Sequence, residues 1–325
     1  MQNPQLQKRK DPMTKETLHT ERPIDMLTIG GIDMDMVLTV PRMPGLDEKE
    51  MAKFLGWMPG GPAANAACAA ARLGLHVASF SQVGDDENGR AIVADFARHG
   101  VDTSLMETVT GQQSPFTVIL IDPSGEKVIL VVPGFEAVYS AEKAAAVLPN
   151  VRYLYMMPNR EETFLMLARL AHQHGAQVMI DIEPTVCAQR DKLERLLAET
   201  DIVSFNRFGF EAAAGAAPAF AAARQLLAYG PHTVIVTRGR GGVLAVTHDE
   251  EAEHPGFPVE VADTTGAGDT FHAAYLAATI RGMSLAERLR FASATAAISV
   301  TAIGPRGRLP TWAEVEEFLK NSKEL

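Results

Sequence analysis

The chain is poor in cysteine, in aromatic residues and in positive charge. Only Cys68 and Cys187 occur among its 325 residues, which argues against a disulfide framework and against a cysteine-based metal site. The formal net charge of −10 disfavours nucleic acid and anionic membranes as partners, because both would repel it. No apolar run reaches membrane-spanning length and no signal-peptide core is present. Both cysteines lie in apolar segments, from which we expect a reduced, cytoplasmic protein.

Two common nucleotide-binding signatures are also missing, since the chain has neither a Walker A pattern nor Gly-x-Gly-x-x-Gly. It has instead a loop of small residues, Gly266-Ala267-Gly268-Asp269, between a predicted short strand (Val259 to Ala262) and a predicted helix. Glycines permit close approach of a ligand, and the free N–H groups of a helix start favour an anion such as phosphate. A carboxylate there either accepts a proton from a hydroxyl that attacks the phosphate or stabilises the first helical turn.

The remaining pattern predicts one domain. Residues 1–23 are polar and charged, and we expect a flexible extension there. From residue 24 to 325 strands and helices alternate, which predicts a doubly wound, mostly parallel α/β sheet flanked by helices. The predicted strands are 26–29, 77–82, 153–156, 178–182, 202–205 and 234–237, and the main predicted helices are 63–73, 90–99, 162–174 and 218–229. Two segments, Val37 to Trp57 and Phe116 to Val132, are β-rich without an intervening helix and could pair as a small second sheet.

Polar residues accompany three of the predicted turns. Asp33 and Asp35 would point the same way near the carboxyl end of the first strand, where carboxylates suit the hydroxyls of a polyol or cap the turn. Gly60-Gly61 followed by Asn65 is either a ligand-binding turn or a loop that leads into a well-packed helix. The stretch from Thr237 to Gly242 is either a phosphate loop or a glycine hairpin between two strands.

In this order and context, these stretches and the segment from Asp263 to Asp269 resemble the ribokinase-like (PfkB) carbohydrate kinases, from about residue 26 to residue 319. The resemblance implies a ribokinase-like fold whose β-rich segments, about 37–57 and 113–133, form a β-lid over the sugar. It makes Asp269 the catalytic base and Gly266, Ala267 and Gly268 an anion hole for the transferring phosphoryl group. The implied sugar contacts are Asp33, Asp35, Gly60, Gly61, Asn65, Asn159 and Asp269, and the implied nucleotide contacts are Asn206, Thr237, Gly239, Gly242, Gly268 and Ser293.

The resemblance also implies ATP and Mg²⁺, but the magnesium motif departs from the family. The usual Asn-x-x-Glu becomes Asn206 with Gly209 in place of the glutamate, and Glu211 lies two residues beyond it. Asp181 and Glu183, at a predicted strand end, are alternative carboxylates or simply a solvated strand end.

A monovalent cation site, for K⁺, is implied at Asp263, Thr265, Ser299, Ala302 and Gly304. Arg308 stands where the family tends to have a serine, which puts potassium dependence in doubt. Its guanidinium either replaces the ion or points to solvent.

The sequence therefore predicts an ATP-dependent kinase that phosphorylates a hydroxymethyl group of a pentose or ketohexose. A nucleoside kinase on the same fold is one alternative. A sugar-binding regulator without turnover is the other: the intact 266–269 loop argues against it, and the missing glutamate supports it. An exposed edge of the lid would allow two subunits to pair as a homodimer.

Overall fold

The computed structural model describes residues 22–187 and 189–322. The strands are β1 (Ile24–Ile29), β2 (Asp33–Thr39), β3 (Lys53–Gly60), β4 (Val77–Ser79), β5 (Gln82–Gly84), β6 (Glu107–Val109), β7 (Phe116–Ile121), β8 (Lys127–Val132), β9 (Val151–Met156), β10 (Gln177–Ile182), β11 (Ile202–Asn206), β12 (Thr233–Thr237), β13 (Val243–Thr247) and β14 (Glu251–His254). The helices are α1 (Pro62–Arg72), α2 (Glu87–Arg98), α3 (Ala141–Val147), α4 (Glu161–Gln173), α5 (Pro184–Cys187), α6 (Arg190–Ala198), α7 (Arg207–Ala214), α8 (Phe220–Leu226), α9 (Ala267–Ile280), α10 (Leu285–Ser299) and α11 (Trp312–Asn321).

The central sheet has eight strands in the order β14-β13-β12-β11-β10-β9-β1-β4. The strands from β12 to β4 pair in parallel, and β13 and β14 add an antiparallel edge. Helices cover both faces of the sheet, and consecutive strand residues point to opposite sides. Met26 belongs to the core cluster that includes residues of α1 and α9, whereas Leu27 belongs to the cluster that includes residues of α4 and α6. The predicted doubly wound, mostly parallel sheet is confirmed.

Small residues bring α1 and α9 together. Every residue from Ala63 to Ala70 on α1 is buried, and the facing part of α9 carries Ala273, Ala274, Ala277 and Ala278 in the same core. Alanine side chains let the two helix backbones approach closely. This packing draws the start of α1 and the start of α9 to one end of the sheet.

The lid is a separate four-stranded sheet with the order β3-β2-β7-β8. It begins immediately after β1, where Gly30 and Gly31 turn the chain at φ 65° and 58°. The hairpin of β7 and β8 agrees with the predicted one. The predicted β segment from Val37 to Trp57 is only partly strand, because residues 40–52 form a loop between β2 and β3.

Three other sequence expectations need adjustment. Residues 259–262 form no strand, because Ala262 and Asp263 donate their N–H groups to the Val300 carbonyl at 2.8 and 3.2 Å instead of to a neighbouring strand. The predicted strand 77–82 divides into β4 and β5 of different sheets. Arg22, assigned to the extension, contacts the domain through the carbonyls of Val151 and His174. Residues 1–21 lie outside the described part, so the flexible extension stays a prediction.

None of the helices among the described residues is both long and apolar enough to span a bilayer.

Candidate active site

The floor of the site is a contact between two glycine turns. The Gly31 carbonyl accepts hydrogen bonds from Ala63 and Ala64, in the first turn of α1, at 3.1 and 3.3 Å. Gly61 has φ 90°, and a Cβ there would lie 2.3 Å from that carbonyl, so only glycine fits. A Cβ at Gly60 would lie 2.3 Å from Asp35 Oδ2. The predicted Gly60-Gly61 turn therefore makes space for the carboxylates of β2.

Asn65 and Asp269 meet across the two helix starts. Asn65 Nδ2 donates to Asp269 Oδ2 at 2.8 Å, although the residues are 204 positions apart in sequence. Gly266, at φ 76°, precedes α9, and Ala267, Gly268 and Asp269 form the first turn of that helix. The first N–H groups of a helix have no partner within it, so this turn places donors beside the carboxylate. The first of them, Ala267 N, donates to the Thr264 carbonyl just before the helix at 3.3 Å. The predicted base and anion hole thus share one short segment.

Asp33 and Asp35 lie together on β2, facing Gly60. Asp35 is 7% exposed and accepts a hydrogen bond from the Thr117 hydroxyl of β7. Burial raises the pKa of Asp35, and the hydrogen bond from Thr117 opposes that rise. Burial and the neighbouring Asp35 raise the pKa of Asp33 to about 7. Among the described residues nothing donates a hydrogen bond to the buried Asp33 Oδ1.

The carboxylates nearest the 266–269 turn repel one another. Burial raises the pKa of Asp269 to about 6. The hydrogen bond from Asn65 opposes this rise, and the charge of Glu183 adds to it. Burial, followed by the charges of Asp269 and Glu183, raises the pKa of Asp181 to about 8. Asp181 is the second-last residue of β10, and Glu183 follows the strand directly. The structure therefore brings the alternative magnesium carboxylates toward Asp269.

The family's magnesium motif has a structural role here. Asn206 accepts a hydrogen bond from Gly209 N at 2.8 Å and so caps α7. A Cβ at Gly209 would lie 2.8 Å from the Ile182 carbonyl, which leaves no room for a glutamate. Glu211 lies 3.6 Å from Arg207 on its own helix. Gly209 therefore offers no carboxylate, and the Glu211 carboxylate faces Arg207.

The predicted nucleotide loop connects β12 to β13, an antiparallel pair. Thr237 ends β12, and residues 239–241 form a single 3-10 turn. Gly239 and Gly242 have φ 56° and 79°, and a Cβ at Gly242 would lie 2.0 Å from the His254 carbonyl. Ser293 is half-buried on α10, which packs against β13 and β14. The loop and Ser293 therefore belong to the same edge of the domain.

The predicted monovalent cation residues also converge. Asp263 Oδ1 accepts from Thr265 N and Oγ1 at 2.9 and 2.8 Å, and its Oδ2 accepts from Gly304 N at 3.0 Å. Burial raises the pKa of Asp263, but these hydrogen bonds outweigh it and the net pKa is lowered. Of the other two predicted residues, Ser299 is the last residue of α10 and Ala302 lies three positions beyond it.

Two cations lie near this loop. Lys127, at the start of β8, donates to Thr265 Oγ1 at 3.0 Å. Arg308 is exposed and donates to Thr301 Oγ1 at 2.9 Å. Lys127 thus reaches the Thr265 side chain from the lid, whereas Arg308 is exposed to solvent.

Three residues near the site have no signal in the sequence. Thr117, Lys127 and Arg306 approach it from the lid and from the loop after α10, and each meets a partner far away in the chain: Thr117 meets Asp35 over 82 positions, Lys127 meets Thr265 over 138, and Arg306 meets Asn65 over 241. No local periodicity marks such contacts. Asn159, by contrast, is exposed after β9 and joins none of the contacts described above.

Comparison with known proteins gives a consistent result. The model of the pfkB family carbohydrate kinases matches residues 25–312. A ribokinase of Bacillus subtilis (strain 168) is 32% identical over 299 residues, which cover 91% of this chain and 99% of that protein.

The fold matches solved structures over a similar length. A ribokinase from Thermotoga maritima is 28% identical with a TM-score of 0.82, covering 92% of this chain and 100% of that one. An Arabidopsis thaliana ribokinase, solved in complex with ribose and ATP, is 24% identical with a TM-score of 0.82 and covers 91% of this chain and 99% of that one. At that identity the Arabidopsis structure supports the fold alone.

Proposed function

The chain belongs to the pfkB family of carbohydrate kinases, and from that premise we propose that it is an ATP-dependent kinase for a pentose or ketohexose. Enzymes of this family transfer a phosphoryl group to an alcohol. The observation that carries the proposal is the contact between Asn65 and Asp269 at 2.8 Å, beside the first N–H groups of α9. It puts a carboxylate and phosphate-binding donors within one helical turn.

Asp269 is our proposed base. Its pKa of about 6 leaves it mostly ionised at neutral pH yet basic enough to accept a proton. The hydroxymethyl oxygen of the sugar attacks the γ-phosphate as its proton moves to Asp269. The N–H groups at Ala267 and Gly268 then stabilise the negative charge that develops on the phosphoryl oxygens.

Asp33 and Asp35 are the proposed hydroxyl acceptors for the sugar, together with the amide of Asn65. Asp33 Oδ1 supports this role, because a buried acceptor without a described donor is suited to a hydroxyl of the bound sugar. Gly60 and Gly61 keep that pocket open by carrying no side chain. Asn159 stays a proposed sugar contact from the resemblance alone.

ATP would lie along the loop from Thr237 to Gly242, with Ser293 and Asn206 at its sides. Mg²⁺ would neutralise charge on the phosphates. Asp181 and Glu183 fit the ion, because hard cations prefer carboxylate oxygens and a positive charge would relieve the repulsion with Asp269 that raises the Asp181 pKa.

The loop that contains Asp263 and Thr265 is the proposed monovalent cation site, completed by carbonyls of Ser299, Ala302 and Gly304. A positive charge there lies beside the anion hole and would hold the backbone N–H groups of Gly266 to Gly268 in position. Lys127 brings such a charge to Thr265 at 3.0 Å, so we propose that its ammonium group takes the role of the ion and that activity does not require potassium.

A homodimer through the lid is also proposed. Both edges of the lid sheet, β3 and β8, are unpaired among the described residues. The lid exposes apolar side chains that include Phe54 at 54% and Val131 at 71%. Such surfaces favour pairing with a second copy, which sedimentation of the protein and of Val131→Lys would test. The unpaired, buried Cys68 and Cys187 support a reducing, cytoplasmic location.

Release of ADP across a panel of sugars and nucleosides tests the function. Ribose, fructose, related sugar acids and nucleosides would each be offered with ATP and Mg²⁺. ADP formed with a sugar supports the proposal, and ADP formed only with nucleosides replaces it with a nucleoside kinase. Sugar binding by calorimetry without ADP would instead identify a regulator.

A further inference from the structure

Arg306 is a buried arginine in the loop between α10 and α11. Its side chain is 8% exposed, and three of its nitrogens have separate partners. Nε donates to Asn65 Oδ1 at 3.0 Å, and Nη2 donates to the Gly60 carbonyl at 2.9 Å. Nη1 pairs with Asp95 of α2, which is itself 3% exposed. One guanidinium thus connects the glycine turn, the start of α1 and α2.

The hydrogen bond from Arg306 determines the orientation of the Asn65 amide. An amide has one accepting end and one donating end. Because Asn65 Oδ1 accepts the hydrogen bond from Arg306, the Asn65 amide nitrogen faces Asp269. Asn65 Nδ2 donates to Asp269 Oδ2 at 2.8 Å. Without Arg306 the amide could rotate and turn its oxygen against the carboxylate.

The charge of Arg306 acts on the same carboxylates. It opposes the rise in pKa that burial causes at Asp33, Asp35 and Asp269. The groups that face Asp269 from other elements are chiefly acidic: Asp33 on β2, Asp181 on β10 and Glu183 after it, with the phenol of Tyr155 on β9. Arg306 is the cation that counters them.

We propose that Arg306 is a positioning residue for this site: it orients the Asn65 amide toward Asp269 and holds one fixed positive charge beside the three carboxylates. The inference rests on the proposed function. Asp95 keeps the guanidinium in place, and because Nε, Nη1 and Nη2 all have protein partners, Arg306 acts through Asn65 and Asp269 and not as a ligand for the substrate.

Two variants separate orientation from charge. Arg306→Gln removes the charge, whereas Arg306→Lys keeps it but cannot contact Asn65, Gly60 and Asp95 together. The matched control is Arg72→Gln, an exposed arginine of α1 that donates to the Leu309 carbonyl of the same loop at 3.2 Å.

Turnover gives the first readout. For Arg306→Gln we expect kcat to fall about tenfold or more and the acid limb of the pH profile to move up by about half a unit or more. Arg306→Lys should keep the acid limb near that of the unmodified protein while kcat stays reduced, and Arg72→Gln should match the unmodified protein in both. In the Asn65→Ala background, Arg306→Lys should reduce kcat little further, because it acts through that amide.

Infrared titration of the Asp269 carboxyl, assigned by difference against Asp269→Asn, gives a readout that needs no turnover. We expect its pKa to rise in Arg306→Gln and to be retained in Arg306→Lys. An unchanged Asp269 titration in folded Arg306→Gln, or full kcat in Arg306→Lys, overturns the proposal. If Arg306→Gln does not fold, Arg306→Lys alone decides it through kcat. A wild-type protein that turns over no sugar or nucleoside refutes the proposed function, and the titration then still judges Arg306.

Discussion

Replacing Asp269 with asparagine separates its two interpretations, a catalytic base and a carboxylate that stabilises a helix start. Asp269→Asn keeps the size of the side chain and removes the proton acceptor. The Asn65 amide, 2.8 Å away in the unmodified protein, can still hydrogen-bond to the new side-chain oxygen. Sugar and ATP binding should therefore survive within a few-fold.

The expected loss is large. Removal of a general base typically lowers turnover by about 10²–10⁴-fold, which corresponds to about 3–5 kcal/mol in the barrier. Loss of a first-turn carboxylate alone would change stability by about 0.3–1 kcal/mol and leave turnover almost unchanged. The two interpretations thus differ by more than an order of magnitude in rate.

The pH dependence of activity is a second, independent test of Asp269 as the base. Because the pKa of Asp269 is about 6, activity should decline as pH falls through about 6, when the carboxylate takes up a proton. At pH 7 about nine tenths of a group with that pKa is ionised, and at pH 5 about one tenth. The residual activity of Asp269→Asn should lack this limb.

The assay is ADP release at saturating sugar and ATP, with folding checked by circular dichroism. Asp191→Asn is the matched control, because Asp191 is an exposed carboxylate in the first turn of α6, away from the site. We expect it to keep full turnover. Near-normal turnover in folded Asp269→Asn would refute the base, as would an acid limb that persists in that variant.

Further outcomes are expected from three other changes. Asp35→Ala leaves sugar hydroxyls unpaired, which costs about 1–3 kcal/mol per lost hydrogen bond. KM for the sugar should therefore rise while KM for ATP stays near normal. A change in KM for ATP alone would show that Asp35 does not lie in the sugar pocket. Asp181 has a folded pKa of about 8, above its ordinary 3.8, so its contribution to stability is present below about pH 4 and lost as pH rises toward 8. In EDTA, Asp181→Asn should therefore raise Tm more at pH 8 than at pH 5, and an equal rise at both would contradict the shift. Lys127 holds a positive charge 3.0 Å from Thr265 Oγ1, so activity should be similar in potassium and tetramethylammonium buffers, and Lys127→Met should become dependent on potassium. Strong potassium activation of the unmodified protein would reject this role for Lys127.

Much of the fold was open to sequence reasoning, because local physics dictates it. Buried strands appear as short apolar runs and helices as residues at helical spacing, so β9, β10 and α4 were located within one or two residues. The prediction for Val259 to Ala262 was wrong because the apolar pattern of a strand does not say whether a neighbouring strand is available. There the backbone N–H groups instead bond to Val300 at the end of α10.

The sequence by itself determined which residue types stand at the helix starts: Gly266 to Asp269 as one group, Gly60-Gly61 and Asn65 as another, and Gly209 where a glutamate was expected. Only the tertiary structure decided how these groups act on one another. The small side chains of α1 and α9 bring Asn65 to Asp269 across 204 positions, and Arg306 reaches Asn65 across 241. Contacts at such separations depend on packing of whole elements and leave no local periodicity. Charge coupling is decided in the same way, because burial and the distances between carboxylates set their pKa values, and both exist only in the folded chain.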